Sequence, residues 1–223
     1  MLVAALVVMP TAARSAVWVG GELGGNFITP TLMQVQGHDS GNTHFADAVM
    51  GGLTVGYDFV NSGFGAYSWP DWMKYFSFAG DFTYNRLLLY GSSDRFGGLN
   101  FWIPPSSSIT GHEAVLTFLF MGHYGLLPDA EVPAGRIHPY LGVGPGIVFS
   151  SLDAGALGLG TASSTALALV VEPGIRFLAL KNVSIDAAFR YRLAQPSYDF
   201  DNVTIKAHAL DQLSFLVRTS FHF

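Results

Sequence analysis

The sequence predicts an all-β fold, an eight-stranded antiparallel up-and-down transmembrane β-barrel, and three observations lead to it. The 223 residues are 50% hydrophobic but only 12% charged, with a mean hydropathy of +0.35, whereas soluble domains contain about 25% charged residues. No apolar run reaches the roughly 18 residues that a membrane-spanning helix requires. Several stretches instead alternate apolar and polar residues with a period of two, which is typical of strands whose two faces differ.

The alternation is clearest in the last eleven or so residues. A closed β-barrel satisfies every backbone polar group inside lipid, as a spanning helix does, and its strands show an apolar lipid side and a polar inner side. One parity holds Leu213, Phe215, Val217, Thr219, Phe221 and Phe223, and the other holds Gln212, Ser214, Arg218, Ser220 and His222. The segment has the length of a tilted membrane strand.

Seven further segments carry the same pattern. With the C-terminal segment they make eight predicted strands, which fall within residues 17–27, 49–59, 76–85, 113–126, 141–149, 167–177, 183–193 and 213–223. Both faces of segment 113–126 are largely apolar, and its inner side is assigned from Glu113, Thr117 and His123. The inner side of segment 141–149 consists of glycines, which we expect to lie beside large arginine side chains. An even strand number suits a bacterial outer-membrane barrel.

The connections are predicted to alternate between long and short. Polar stretches cover 28–46, 90–111, 150–164 and 194–207, and the shortest intervening link is Leu180–Lys181–Asn182. Because outer-membrane barrels have long extracellular loops and short periplasmic turns, both termini are expected in the periplasm. The link from Asn61 to Trp72 is longer than this rule predicts, and its Tyr67, Trp69 and Trp72 are expected to join an interfacial aromatic girdle.

Two regions are predicted along the chain. Residues 1–15 are predicted to be the remnant of a signal peptide, because the apolar run Leu2–Met9 is followed by Pro10 and several small residues. A buried N-terminal strand or helix is the alternative. Residues 16–223 are predicted to form a single barrel domain. The chain has no cysteine, so disulfides and thiolate metal sites are excluded.

Ten charged residues share the inner parity of the predicted strands. They are Glu22, Asp58, Asp81, Glu113, Glu172, Arg176, Asp186, Arg190, Arg192 and Arg218. Since an eight-stranded barrel is just wide enough for side chains to fill it, we expect these charges to neutralise one another in a salt-bridged plug. A path for protons or ions through a small, low-conductance pore is the alternative, because titratable residues in the interior also mark such pathways.

The hairpin with the shortest turn gives a specific register. If Leu180–Asn182 forms the turn, Ala179 faces Val183. Arg176 then lies opposite Asp186, and Glu172 opposite Arg190. In the same way, pairing Val17 with Phe223 to close the barrel places Glu22 opposite Arg218.

Two segments resemble a known family. Phe215, Val217, Phe221 and the terminal Phe223 are similar to the C-terminal signal read by the barrel assembly machinery, and the strand His138–Gly144 has the sequence HPYLGVG. Over residues 16–223 the chain resembles the eight-stranded outer-membrane barrels exemplified by the transmembrane domain of outer-membrane protein A. The resemblance implies contact with outer-membrane lipid and lipopolysaccharide, insertion by the barrel assembly machinery, and protein partners bound through the loops.

The sequence leaves several functions open. The first is a structural or surface-interaction role, and the second is a lipid A-modifying enzyme. Candidate catalytic residues are His38, Asp39, Ser40 and His44, and His112 with Glu113 beside Ser106–Ser108, but their spacings match no nucleophile elbow or zinc signature. His38, His44 and Asp47 form a weak candidate metal site, and no cofactor is expected.

Two further classes are disfavoured. A soluble lipocalin-like carrier would place its apolar face inward and its charges outward, the reverse of a membrane barrel. Nucleic acid is excluded as a partner because the chain is acidic, with a net charge of -5.

Overall fold

The computed structural model describes residues 17–35, 38–59, 69–90, 108–155, 158–200 and 203–223. The predicted signal peptide remnant lies outside these residues. The strands are β1 Val17–Ile28, β2 Thr31–Val35, β3 His38–Phe45, β4 Ala48–Asp58, β5 Phe76–Tyr90, β6 Ser108–His123, β7 Ile137–Asp153, β8 Thr161–Leu180, β9 Val183–Ala194, β10 Ser197–Phe200, β11 Val203–Ala207 and β12 Leu210–His222, with a short 3-10 helix over Asp71–Tyr75. Within these ranges no helix has the length and apolar character needed to cross a membrane.

Eight of the strands close into an antiparallel barrel. Around the wall the order is β1, β4, β5, β6, β7, β8, β9 and β12, and β12 pairs again with β1. Each of the eight segments predicted from the sequence overlaps one of these strands, and the fold class is confirmed. Because β1 and β12 pair directly, the barrel presents no unpaired edge in its wall.

The two faces of the wall carry opposite chemistry. Most of the large side chains exposed on the outside are apolar, including Leu23 at 68%, Val49 at 80% and Leu167 at 77% exposure. The inner positions of the same strands hold buried polar and charged side chains. This arrangement suits a wall surrounded by lipid and is the reverse of a lipocalin-like carrier.

Two of the predicted polar loops contain strands that extend the sheet beyond the barrel wall. Link 28–46 holds the β2–β3 hairpin and link 194–207 holds the β10–β11 hairpin; β2 pairs with β11, and Phe45 of β3 pairs with Leu89 of β5. We call this end of the barrel the loop end and the opposite end the turn end. The prediction of simple polar loops was wrong here, because apolar residues within both links pack inward.

An apolar cluster lies inside the loop end. It consists of Ile28, Met33, Leu87, Leu89, Ile109, Leu152, Ala154, Ala162, Tyr198, Phe200 and Leu210, with Phe45, Leu159 and Ile205 packed against it. The Tyr198 hydroxyl lies 2.8 Å from Ser150 Oγ, which ties hairpin β10–β11 to the wall. The ends of six barrel strands and the added hairpins therefore share one apolar layer above the charged interior.

The predicted alternation of long and short links fails at β7 and β8. These strands continue to Asp153 and from Thr161, so the link between them is shorter than link 124–136 at the turn end. Ser150 pairs with Ser164, and Ser151 with Ser163. Backbone pairing does not require apolar side chains, and the serines that suggested a loop lie in a regular ladder.

The β8–β9 turn is one residue tighter than predicted. Lys181 and Asn182 form it, Leu180 pairs with Val183, and the register shifts between Leu178 and Leu180. The predicted pairing of Ala179 with Val183 was wrong. The irregularity at Ala179 absorbs one residue, so the predicted register beyond it, with Arg176 opposite Asp186, is confirmed.

Close packing inside the wall depends on glycines that lie opposite aromatic residues. Gly56 pairs with Trp18 and Gly174 with Tyr140, and a Cβ atom on either glycine would overlap the ring of its partner. The expectation that Gly142 and its neighbouring inner glycines lie beside arginines was wrong. A Cβ at Gly142 would contact Met121, and the other two inner glycines of that strand lie against the Phe118 backbone and aliphatic side chains.

We predict that Gly56→Val lowers the stability of the barrel by about 1 to 3 kcal/mol, the usual cost of overpacking a filled interior, because the new side chain overlaps Trp18. The matched control is Gly80→Val, since a Cβ at Gly80 meets no atom within 4 Å. To measure the effect, samples are incubated at increasing temperatures in detergent before electrophoresis, and the temperature at which half of the folded band has disappeared is compared. Equal midpoints for the two variants would contradict this packing.

Candidate functional site

The ten charged residues of the inner parity are buried to different extents. Nine of them are less than 9% exposed, and Asp58, near the turn end, is half-buried. Burial of this many charges costs several kcal/mol per ion unless each one is paired. The geometry of their pairing therefore determines what the interior can do.

Cross-strand pairing brings the first group together. Glu22 lies opposite Arg218, and Asp186 lies opposite both Arg176 and Arg218 on its two neighbouring strands. Arg218 Nη2 is 2.8 Å from Glu22 Oε2, and Arg176 Nε donates to Asp186 Oδ2 at 3.2 Å. The predicted closure of the barrel, with Glu22 opposite Arg218, is confirmed.

A second group spans the interior at mid-height. Arg190 Nη2 lies 2.6 Å from Glu172 Oε2 on the neighbouring strand, and its Nη1 donates at 2.8 Å to Asp81 on β5, which is not adjacent to β9 in the wall. Arg218 Nη2 lies 3.2 Å from Glu172 Oε1. These guanidinium groups therefore bridge strands that do not pair, as an eight-stranded interior is narrow enough to allow.

A third group lies between the central charges and the apolar cluster. Arg192 Nη1 donates to Glu113 Oε1 at 2.9 Å and to Gln212 Oε1 at 2.8 Å, and Gln212 Nε2 donates to Glu113 Oε2 at 2.8 Å. Asn26 Nδ2 donates to Gln212 Oε1 at 3.3 Å, and Asn26 Oδ1 accepts a hydrogen bond from Ser214 Oγ at 2.8 Å. Sequence reasoning assigned Gln212 to the inner face but did not identify this pair of hydrogen-bonded amides, because it depends on which strands neighbour each other.

The turn end is closed by an aromatic group that the sequence did not single out. Trp18 Nε1 donates to Asp58 Oδ1 at 3.1 Å, Ser77 Oγ donates to the same oxygen at 2.7 Å, and the Arg176 guanidinium lies 4.5 Å from the centre of the Trp18 ring. Such a cation–π contact stabilises a desolvated guanidinium. A small cavity beside it is lined by Ser77, Met121, His123, His138, Tyr140 and Arg176.

The central charges do not balance. The fully buried carboxylates Glu22, Asp81, Glu172 and Asp186 are contacted by three guanidinium groups, those of Arg176, Arg190 and Arg218. Glu22 Oε1, Asp81 Oδ2 and Asp186 Oδ1 are buried and accept no hydrogen bond from a described residue. The excess of negative charge is therefore shared by these three carboxylates, while Glu172 accepts hydrogen bonds from Tyr140, Arg190 and Arg218.

The candidate catalytic residues do not come together. His112 is exposed on the outside of β6, whereas its neighbour Glu113 is buried inside, so the two side chains lie on opposite sides of the wall. His44 is exposed near the end of β3, and the side chains of His38, Asp39, Ser40 and Ser106–Ser108 lie outside the described residues. Among the residues that the structure describes, no group of three or more His, Cys, Asp or Glu side chains is arranged to hold a metal ion.

The residues of the predicted assembly signal lie on the outer face. Phe215, Val217, Phe221 and Phe223 are 42% to 57% exposed, and Phe215 packs edge-on against Phe189 of β9 with ring centres 5.3 Å apart. They form part of the apolar outer surface.

Aromatic residues concentrate outside the turn end. Trp72 packs edge-on against Phe76, Trp69 packs against Phe59, and Tyr75 stacks on Tyr124 with ring centres 5.7 Å apart. Trp69 and Trp72 were both predicted for an interfacial girdle, while Tyr67 lies outside the described residues. Such a position suits rings that are apolar at one end and polar at the other.

The closed wall, apolar outside and charged inside, defines a transmembrane barrel of the outer-membrane type. Among solved structures it is similar to Neisserial surface protein A, with 16% identity over 93% of this chain and 97% of that chain and a TM-score of 0.52. It is also similar to the outer membrane protein OprG from Pseudomonas aeruginosa, with 12% identity over 94% and 97% of the two chains and a TM-score of 0.59. At these identities the similarity shows the fold alone.

The resemblance drawn from the sequence is confirmed at the level of fold. No protein-family model and no curated protein sequence matches the chain.

We predict that Asp186→Ala lowers the free energy of unfolding by about 3 to 5 kcal/mol, the cost of breaking a buried ion pair by removing one partner, since Arg176 loses the carboxylate 3.2 Å from its Nε and keeps only Asp58 at 3.6 Å. Asp199→Ala, at an exposed position of β10, is the control. Urea unfolding in lipid vesicles, followed by tryptophan fluorescence, measures the difference. If the two alanine variants unfold at the same urea concentration, Asp186 is not a structural partner of the arginines.

Proposed function

We propose that this chain is an outer-membrane protein with a non-conducting barrel and a structural or surface-interaction role. The observation that carries the proposal is the filling of the interior along its length. Ion pairs and hydrogen-bonded amides occupy the middle, Trp18 and Asp58 close the turn end, and the apolar cluster occupies the loop end.

The filling is tight enough to oppose ion flow. Arg190 and Arg218 reach across the interior to carboxylates on β1, β5 and β8. An ion entering this region would have to separate charges that are already paired in a low-dielectric environment, where such pairs are strong. The apolar cluster adds a second barrier, because its described side chains are almost all apolar and replace little of the hydration shell of an ion.

We place both termini in the periplasm and the loop end at the cell surface. Phe223 N donates to Val17 O at 3.0 Å, so the first and last residues of the barrel meet at the turn end, where the two-residue β8–β9 turn also lies. Short periplasmic turns and larger extracellular connections are the rule for outer-membrane barrels. This places Phe223 where the barrel assembly machinery would engage it and leaves hairpins β2–β3 and β10–β11 available to surface partners.

A reconstituted sample is expected to show no large, steady channels in planar bilayers. Replacing the central pair, with Glu172→Ala and Arg190→Ala together, removes a bridge across the interior and is expected to raise the conductance, whereas Asp199→Ala is not. A heat-induced shift on gels verifies that each variant is folded. Large, stable channels formed by the unmodified chain would contradict the proposal and favour the pore alternative.

The orientation is tested by cysteine labelling. Because the chain has no native cysteine, an introduced cysteine is the only thiol that can react. Asp199→Cys, on hairpin β10–β11, is expected to react with a membrane-impermeant maleimide on intact cells. Lys181→Cys, in the β8–β9 turn, is expected to react only after the outer membrane is permeabilised. The reverse pattern of labelling would place the termini outside.

A further inference from the structure

A row of polar residues crosses the outer face of four neighbouring strands near the loop end. Arg86 of β5 pairs with His112 of β6, His112 pairs with Ser151 of β7, and Ser151 pairs with Ser163 of β8. We call these four residues the polar row. Arg86, His112 and Ser163 are exposed and Ser151 is half-buried.

The polar row marks the edge of the lipid-facing surface. Towards the turn end the outward residues are apolar. Phe149 lies two residues from Ser151 and is 46% exposed, Phe82 lies four residues from Arg86 and is 47% exposed, and Leu167 lies four residues from Ser163 and is 77% exposed. On the other side of the row, β6, β7 and β8 present Thr110, Asp153 and Thr161, which are polar and exposed, while β5 presents the half-buried Leu88. The row therefore lies where the apolar belt gives way to water, at the depth of the lipid headgroups.

The side chains of the row are prepared to donate hydrogen bonds. Tyr84 Oη lies 2.6 Å from His112 Nδ1, and the two rings stack with centres 5.8 Å apart. With Nδ1 accepting the Tyr84 hydroxyl, the imidazole proton lies on Nε2, which becomes a donor. Arg86 supplies a fixed positive charge and a planar set of donors, and no carboxylate of the described residues pairs with it.

We propose that the polar row binds a phosphate group of lipid A in the outer leaflet. A guanidinium, an imidazole N–H and two hydroxyls on adjacent strands match the several oxygens of a phosphate, and charge-assisted bonds of this kind are among the strongest in proteins. The acyl chains of the same lipid would lie along the apolar belt below. The inference rests on the proposed orientation, because it is the loop end that meets the leaflet containing lipopolysaccharide.

Two acidic residues among those the structure describes lie nearby. Asp47 is exposed just before β4, on the side of β5 away from His112, and follows Ala46, whose N–H donates to Leu88 O. Asp153 follows Ser151 by two residues on the same face of β7, but its Oδ1 accepts the backbone N–H of Gly155 at 2.8 Å. That bond holds the carboxylate towards the β7–β8 link, on the side of the row away from the apolar belt. The phosphate is therefore expected on the Arg86 and His112 side of the row.

The test is retention of lipid A by the purified chain in detergent. Bisphosphorylated lipid A is titrated in mixed micelles and counted per barrel by native mass spectrometry. Arg86→Gln and His112→Gln are each expected to weaken retention about tenfold, the usual effect of losing a charge-assisted hydrogen bond. Lys181→Gln, which removes one positive charge at the turn end, is expected to retain lipid A as the unmodified chain does.

Three competing probes define the ligand. Lipid A without its phosphates is expected to bind the unmodified chain more weakly than bisphosphorylated lipid A binds the Arg86→Gln variant, because it loses the contacts of the whole row. Inorganic phosphate and phosphatidylglycerol at equal concentration are expected to leave bound lipid A in place. Displacement by inorganic phosphate would indicate a simple anion site, and displacement by phosphatidylglycerol a general phospholipid site; either result overturns the assignment to lipid A, as does full retention by Arg86→Gln. Orientation does not affect binding in detergent, so a failure here is distinct from a failure of surface labelling.

Discussion

The pairing of buried carboxylates with guanidinium groups is the constraint on which the rest of this barrel depends. Eight strands enclose a space that only side chains fill, and this chain fills its middle with charges that are less than 7% exposed. Each charge would be costly alone, since water is excluded from one side by lipid and from the other by neighbouring side chains. Strand register, strand order and the positions of small residues must therefore all agree with the ion pairs.

The register shows how this agreement is reached. Arg176 and Asp186 lie opposite each other because the irregularity at Ala179 compensates for a turn that is one residue shorter. A slip of one residue in either strand would turn its charged side chain towards lipid and leave the other charge inside without this partner, because the faces of a strand alternate with a period of two. Large inner side chains set a further condition, which Gly56 and Gly174 meet by leaving room for Trp18 and Tyr140.

The two ends of the barrel differ in chemistry, and so do the roles we assign them. The turn end combines the paired termini, an outer set of aromatic rings and the contact of Arg176 with Trp18. The loop end combines an inner apolar cluster, added hairpins and an outer polar row. A barrel whose interior is filled by ion pairs and apolar side chains, and whose two outer ends carry different residues, suits the proposed contacts with lipid and surface partners better than transport through its centre.

The sequence by itself determined the number of barrel strands, their faces and the register of two of their pairings. The number and the faces of the strands are local properties, because a period of two assigns each residue to a face. The β8–β9 register was right because the irregularity at Ala179 offset the one-residue error in the turn, and the β1–β12 register followed from closing the barrel between its first and last strands. The lengths of the links could not be predicted from the sequence, because serines such as Ser150 and Ser164 continue the β7–β8 hydrogen-bond ladder without an apolar pattern that would indicate a strand.

Only the tertiary structure decided which charges meet across the interior, as with Arg190 and Asp81 on strands that do not pair. It also decided that the two polar connections fold into hairpins over the loop end, and that Arg86, His112, Ser151 and Ser163 form one row. Each of these contacts joins residues that are distant in the chain. Their proximity follows from the closure, width and tilt of the whole barrel, quantities that no single segment of the sequence contains.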